Sequence, residues 1–240
     1  MKKILLTAIL ATAPLMGYAA ETTASSTGDA LTGLLLGVEG AFQRTDYSQK
    51  LGGLEPGDGP FSEKLKNPSY QLAGAVSLGY FTRKDDLYYG AKVSVGKTFG
   101  SRDKKKASAG GNQYQNIVTK VSQAYNLALV GHFGTYVSDN QVVYGLLGVK
   151  RIRYDFDVSG TNYGVNGPVK GSVGKTVFGP VLGFGMKQAF SEQWAFSTEV
   201  SYERYSKVTT GNVDTAAGAL VGTSIKPQVW NVTVGLSHKF

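Results

Sequence analysis

Several residue types are missing or scarce in this sequence of 240 residues. It contains no cysteine, which excludes a disulfide-stapled scaffold and any metal site built from thiolates. Its two histidines, His132 and His238, cannot form a metal site without other ligands. No segment beyond the first twenty residues approaches the run of about 18 apolar residues that indicates a transmembrane helix. The mean hydropathy of −0.13, taken alone, would indicate one soluble domain.

Glycine and basic residues are abundant instead. The 32 glycines make up about 13% of the chain against a typical value of about 7%, and they have no three-residue period, which excludes collagen. There are 25 Lys and Arg against 17 Asp and Glu, so the formal charge is +8. The composition therefore indicates a basic chain that is rich in glycine but does not form a collagen triple helix.

The N-terminus has the pattern of a secretory signal peptide. Lys2 and Lys3 precede an apolar run that is too short to span a membrane, and Gly17 and Ala19 are small residues suited to a signal-peptidase site. We expect residues 1–20 to be removed and residues 21–240 to form one domain. Loss of the two lysines lowers the formal charge from +8 to +6.

Apolar residues in the rest of the chain alternate with a period of two, which predicts β-strands. In one clear run Leu72, Val76 and Leu78 lie on one face, and Ala73, Ala75 and Ser77 lie on the other. Eight such runs follow one another. They begin near Leu34, Tyr70, Tyr89, Tyr125, Val142, Phe178, Trp194 and Trp230.

The connections between these runs alternate between short and long. Three are tight turns, at 82–86, 135–140 and 191–193. Four are long and rich in Gly, Ser, Asn, Asp and Lys, at 45–69, 100–117, 157–176 and 206–227. All long loops then leave from one end of the sheet, as in bacterial outer-membrane proteins. The pattern predicts an all-β fold, an eight-stranded antiparallel up-and-down transmembrane β-barrel with short periplasmic turns and long extracellular loops.

The composition of the two strand faces indicates which one points outward. One face carries long apolar residues with aromatic residues towards the strand ends, as expected for lipid contact. The other is dominated by Gly, Ala and Ser, which suits a narrow lumen in which charges must pair. We expect a structural lumen network of Glu39, Lys92, Arg151, Arg153, Lys187, Glu199 and Glu203. Lys150 falls on the predicted outer face and requires a bulge or a snorkelling side chain.

The final strand, VWNVTVGLSHKF, ends on Phe240 with Val232, Val234 and Leu236 in phase before it. It resembles the C-terminal signature of bacterial outer-membrane proteins, a terminal aromatic residue recognised by the barrel-assembly machinery. The chain is similar to small eight-stranded outer-membrane β-barrels such as the outer membrane protein A transmembrane domain and the opacity and surface-antigen proteins. One departure is His238, where the family usually has an apolar residue or Tyr. The resemblance implies an outer-membrane location.

Two further motifs have chemical interpretations. Residues 171–176, GSVGKT, resemble the end of a phosphate-binding P-loop, but Val169 replaces the first glycine and a strand follows instead of a helix. A run of cations in the second long loop suits contact with lipopolysaccharide phosphates or host polyanions, or is a solvated loop tip. Its members are Arg102, Lys104, Lys105 and Lys106.

These features predict an integral outer-membrane protein whose loops mediate adhesion, recognition or evasion of host defence. The expected partners are outer-membrane lipid and lipopolysaccharide, the barrel-assembly machinery and a host-surface ligand. We expect no nucleic acid and no cofactor. A narrow diffusion channel and a lipid A-modifying enzyme are the alternatives.

Overall fold

The computed structural model describes residues 30–55, 59–99, 103–107, 117–162, 167–209, 213–214 and 220–240. The signal peptide predicted over residues 1–20 lies outside these ranges. Almost all described residues are in strands: β1 Gly33–Glu55, β2 Gly59–Lys84, β3 Leu87–Phe99, β4 Asp103–Ala107, β5 Ile117–Ser138, β6 Gln141–Asn162, β7 Gly167–Ala189, β8 Trp194–Arg204, β9 Val208–Thr209, β10 Val213–Asp214 and β11 Leu220–Lys239.

Eight of the strands form a closed antiparallel barrel. Neighbours along the wall follow chain order through β1, β2, β3, β5, β6, β7, β8 and β11, and β11 pairs with β1 to close the sheet. The short strands β4, β9 and β10 extend the wall by pairing with β5 or β11. No helix in the part of the chain that the structure describes is long and apolar enough to cross a membrane. The eight-stranded up-and-down fold predicted from the sequence is confirmed.

The short connections lie at one end of the barrel, as predicted. Asp85 and Asp86 join β2 to β3, Asp139 and Asn140 join β5 to β6, and residues 190–193 join β7 to β8. Asp85 has a φ of 55°, a left-handed conformation that Asp tolerates in two-residue hairpins. These turns define the periplasmic end.

The opposite end is built from strands that continue beyond the barrel wall. β1, β2, β5, β6 and β7 are 22 to 26 residues long, whereas a membrane-spanning strand needs about 9–11 residues. β1 and β2 stay paired out to Glu55 and Gly59, and β6 and β7 stay paired out to Asn162 and Gly167. Much of the sequence predicted as long loops therefore forms paired strands. The backbone hydrogen bonds between neighbouring strands continue beyond the membrane-spanning part, where the side chains no longer alternate between apolar and polar.

Alternation along the strands produces two faces. Long apolar side chains point outward and are exposed, for example Leu72 at 62% and Phe133 at 66%. Aromatic residues cluster on this outer face near both strand ends. Those near the extracellular end are Tyr70, Phe99, Tyr125, Phe178, Tyr202 and Trp230, and those near the periplasmic end are Tyr80, Tyr89, Phe190, Trp194 and Phe240. This arrangement matches the aromatic girdles of outer-membrane barrels.

The orientation of β6 differs from the prediction. Tyr144, Leu146, Ile152 and Tyr154 are buried in the lumen together with Lys150, so no snorkelling lysine is present in this strand. The irregularity lies in β5, where the register shifts between Gln123 and Asn126. The prediction for β6 is wrong because both of its faces are apolar, so hydropathy does not distinguish the lipid face from the lumen face.

Candidate functional site: the charged lumen

The periplasmic half of the lumen contains an ion-pair cluster centred on a lysine. Lys92 Nζ lies 2.8 Å from Glu39 Oε1 and 3.0 Å from Glu199 Oε1. The Tyr144 hydroxyl donates to the same Glu199 oxygen at 2.9 Å. We call Glu39, Lys92, Tyr144 and Glu199 the Lys92 layer. It ties β1, β3, β6 and β8 together across the barrel interior.

Aromatic rings pack below and beside the Lys92 layer. The Phe81 and Tyr88 rings stack at 5.3 Å, and His132 stacks on Tyr144 at 4.5 Å. Lys187 Nζ donates to the Tyr88 hydroxyl at 2.9 Å and lies 4.0 Å from the centre of the Phe81 ring, a cation–π contact. Within the described residues no carboxylate lies within ion-pair distance of Lys187, so the rings take the place of a counter-ion.

The extracellular half of the lumen contains a second cluster, centred on a glutamate. Glu203 accepts hydrogen bonds from Lys150 Nζ at 2.8 Å, from Asn231 Nδ2 at 2.7 Å and from the Tyr205 hydroxyl at 2.5 Å. Asn231 Nδ2 also lies 3.2 Å from Ser201 Oγ. We call Lys150, Glu203, Tyr205 and Asn231 the Glu203 layer.

A row of uncharged polar side chains lies near the extracellular end as well. The Thr98 hydroxyl is 3.2 Å from Gln43 Oε1 and 3.0 Å from Gln123 Oε1, and Gln123 Nε2 donates to Thr45 Oγ1 at 3.3 Å. Gln43, Thr45 and Gln123 are buried. These hydrogen bonds join side chains of β1 to side chains of β3 and β5 across the barrel interior. They therefore reduce the open cross-section of the lumen at this level.

A cavity of ≈ 80 Å³ separates the two charged layers. Its wall includes Lys92 and Glu199 from one layer and Lys150 and Glu203 from the other, together with small residues such as Ala73. A cavity of this polarity and size has room for several water molecules. The Lys92 layer lies at one side of this cavity and the Glu203 layer at the other.

The structure brings together five of the seven predicted lumen residues. Glu39, Lys92 and Glu199 form one cluster, Glu203 belongs to the other, and Lys187 lies among the aromatic rings. Arg151 and Arg153 are not in the lumen. Both point outward and are exposed, because Lys150 and Ile152 occupy the inward positions of β6.

Sequence reasoning missed four members of the two charged layers, Lys150, Tyr144, Tyr205 and Asn231. No local charge signal determines the orientation of β6, because Lys150 lies on one face and Arg151 and Arg153 lie on the other. Tyr144 shares the face of Lys150 and was missed with it. Tyr205 could have been found, since it lies two residues after Glu203 and so shares its face. Asn231 could not, since its contact with Glu203 depends on the pairing of β8 with β11.

The remaining predicted positions lie at the two ends of the barrel. Lys104, Lys105 and Lys106 are in β4, paired with Thr119 and its neighbours at the extracellular end, and Arg102 lies outside the described residues. Phe240 is 71% exposed at the periplasmic end, and its amide donates to the Leu34 carbonyl at 3.1 Å. Among the residues described, no group of three or more His, Asp or Glu side chains is arranged to hold a metal ion.

Comparison with known proteins gives a family match over most of the chain. A family model described as an outer membrane protein beta-barrel domain matches residues 8–237. No curated protein matches the sequence.

Several solved structures are similar to this chain. Neisserial surface protein A is 12% identical, with 87% of this chain and 98% of that chain covered and a TM-score of 0.43. The outer membrane protease OmpT from Escherichia coli is 8% identical, with 91% and 99% covered and a TM-score of 0.48. Ail, the attachment invasion locus protein of Yersinia pestis, is 14% identical, with 83% and 99% covered and a TM-score of 0.33.

Proposed function

We propose that this chain, which belongs to the outer membrane protein beta-barrel domain family and so lies in the bacterial outer membrane, is a surface protein with a closed barrel as its anchor. The observation that carries the proposal is the pair of charged layers across the lumen, at Lys92 and at Glu203. Because eight strands leave an interior that side chains can fill, these layers suit a structural role rather than free diffusion. Binding of partners then falls to the extracellular segments.

The basic segment around β4 is the part of the extracellular end that we assign to polyanion binding. Lys104, Lys105 and Lys106 follow Arg102 in the chain, and the backbone of β4 is paired with β5. Clustered cations on a backbone held in a sheet favour anionic groups such as the phosphates of lipopolysaccharide or a sulfated polysaccharide of a host surface.

Export and assembly complete the proposal. Residues 1–20 would direct the chain across the inner membrane as a cleaved signal peptide. Phe240, exposed at the periplasmic end on the closing strand, would contact the barrel-assembly machinery.

Surface accessibility tests the location and orientation together. A protease site inserted after Asn162, at the extracellular end of β6, should be cut in intact cells, and the same site between Asp139 and Asn140 should be cut only after the outer membrane is opened. Recovery of the protein in the soluble periplasmic fraction, or the reverse pattern of cleavage, would refute the proposed orientation.

Polyanion binding is tested by charge removal. The variant Lys104→Gln, Lys105→Gln, Lys106→Gln should lose most of the salt-sensitive binding of cells to an immobilised sulfated polysaccharide, because attraction between cations and a polyanion is screened by salt. The control variant Lys207→Gln, Lys226→Gln removes exposed cations elsewhere at the same end and should keep that binding. Equal binding by both variants and the parent protein would refute the role of β4.

A narrow channel is the second candidate, and the ≈ 80 Å³ cavity between the layers is the observation that favours it. Opening would require both layers to separate. A lipid A-modifying enzyme has less support, because His132 stacks on Tyr144 inside the barrel and His238 packs between Trp194 and Phe240 at the periplasmic end. We therefore propose a non-enzymatic role.

A further inference from the structure

Three cations lie on the outer surface of the barrel near its extracellular end. Lys97 is on β3, and Arg151 and Arg153 are on β6, with β5 between them. All three side chains are exposed, and they lie on the face that otherwise carries apolar residues. We call Lys97, Arg151 and Arg153 the outer basic patch. It is separate from β4 and from the lumen.

The strand register makes this patch continuous. Lys97 is paired with Tyr125 on β5, and paired residues of an antiparallel sheet carry their side chains on the same face. The β5 irregularity between Gln123 and Asn126 places Tyr125 next to Arg153, and the Arg153 guanidinium lies close to the Tyr125 hydroxyl. Tyr125 therefore lies between Lys97 on β3 and Arg153 on β6.

Arg151 extends the patch towards the membrane centre. It is two residues from Arg153 on the same face and is paired with Leu127 on one side and Phe178 on the other. Its guanidinium carbon lies 6.0 Å from the centre of the Phe178 ring. This separation is at the outer limit of a cation–π contact, and no hydrogen bond from the Arg151 guanidinium is present within the described residues.

The patch keeps a net positive charge. Arg153 Nε lies 3.1 Å from Asp155 Oδ1, an exposed pair that contributes little to stability. Within the described residues neither Lys97 nor Arg151 has a carboxylate within ion-pair distance. Three cations are thus accompanied by one carboxylate. The patch therefore has an excess of positive charge that can bind an external anion.

The depth of the patch indicates which anion it meets. Tyr125 and Phe178 belong to the extracellular aromatic girdle, and such girdles lie at the level of the lipid headgroups. A cation in the hydrocarbon would be costly, whereas at the headgroup level it can contact phosphate. Arginine suits this contact because its guanidinium can bind two phosphate oxygens at once.

We propose that the outer basic patch binds the phosphate groups of lipopolysaccharide, at the lipid A headgroup in the outer leaflet. Lys97 and Arg151 supply the uncompensated charge, and Arg153 supplies guanidinium donors beside Tyr125. The proposal rests on the membrane orientation of the barrel and not on polyanion binding by β4, so the two can fail independently.

Native mass spectrometry of the full-length folded protein in detergent tests this site, with purified lipid A as the probe. The variant Lys97→Gln, Arg151→Gln keeps the Arg153–Asp155 pair, and Arg83→Gln, Lys84→Gln removes the same charge from exposed residues at the periplasmic end. We expect the first variant to bind bisphosphorylated lipid A about 20-fold more weakly than the parent, and the second to bind it unchanged. Lipid A without phosphates should bind weakly to all three proteins.

Three results would overturn the proposal. The first is equal binding of bisphosphorylated lipid A by the Lys97→Gln, Arg151→Gln variant and the parent. The second is an equal loss in the periplasmic control, which would indicate a general charge effect. The third is equally tight binding of phosphatidylglycerol or dephosphorylated lipid A, which would show that lipid A phosphate is not the selected group. The heat-dependent shift in gel mobility verifies that each variant is folded.

Discussion

The two charged layers of the lumen are built in opposite ways. In the Lys92 layer one cation lies between two carboxylates, at 2.8 Å from Glu39 and 3.0 Å from Glu199. In the Glu203 layer one carboxylate accepts three hydrogen bonds, from Lys150, Asn231 and Tyr205. Each layer therefore has one central residue. Loss of Lys92 would leave two carboxylates without their cation, whereas loss of Glu203 would leave one lysine and two uncharged donors without their acceptor.

Lys187 provides a third case in the same lumen. It is buried, yet it contacts the rings of Phe81 and Tyr88 instead of a carboxylate. A buried ion pair is strongly destabilised when one partner is removed, whereas an unpaired buried lysine can be replaced by an apolar side chain at small cost. The three lysines of the lumen therefore should not respond alike to the same substitution.

The largest effect is expected from Lys92→Met. It leaves Glu39 and Glu199 facing each other in the lumen without their cation, and should lower the free energy of unfolding by about 4 kcal/mol. Urea unfolding in lipid vesicles measures this change. The variant Lys92→Met, Glu39→Gln, Glu199→Gln removes the stranded charges and should recover most of the loss. An unchanged midpoint for Lys92→Met would show that the layer does not stabilise the barrel.

A smaller loss is expected from Glu203→Ala, because only one charge is left unpaired. Lys150 then lies in the lumen without its carboxylate, and Tyr205 and Asn231 lose an acceptor, so the free energy of unfolding should fall by about 3 kcal/mol. The same urea titration measures it. The control Lys150→Met, Glu203→Gln should be more stable than Glu203→Ala, and the opposite order would contradict the assignment of Glu203 as the central residue.

The smallest effect is expected from Lys187→Met. The substitution removes a hydrogen bond to Tyr88 and a cation–π contact with Phe81, but it leaves no carboxylate unpaired and relieves the burial of an amine. The free energy of unfolding should change by less than about 1 kcal/mol. A loss as large as that of Lys92→Met would show that Lys187 balances charge in the Lys92 layer.

The fold could be predicted from the sequence because its signals are local. Period-two alternation identifies each strand, and the tight turns at Asp85 and Asp139 alternate with long connections, which determines the direction of every strand. The choice of ion-pair partners in the lumen cannot be predicted from the alternation of residues along single strands. The inward residues Glu39, Lys92 and Glu199 follow from strand faces, but which of them meet depends on how β1, β3 and β8 are staggered around the closed barrel.

The error in β6 has a specific cause. Tyr144 and Tyr154 are aromatic residues in the lumen, where they pack on His132 and Tyr205, and their alternation is the same as that of lipid-facing residues. Hydropathy cannot separate these two faces. Charge cannot separate them either, because Lys150 lies in the lumen whereas Arg151 and Arg153 lie on the outer surface, where the proposed lipid A site lies.

We expect the Lys92 and Glu203 layers to close the lumen, and planar-bilayer recording of the folded parent protein measures whether they do. We expect no stable conductance, since both layers must open before ions can pass the cavity between them. A stable, ion-selective channel in protein that shows the heat-dependent gel shift of a folded barrel would contradict the closed anchor and favour the narrow channel instead.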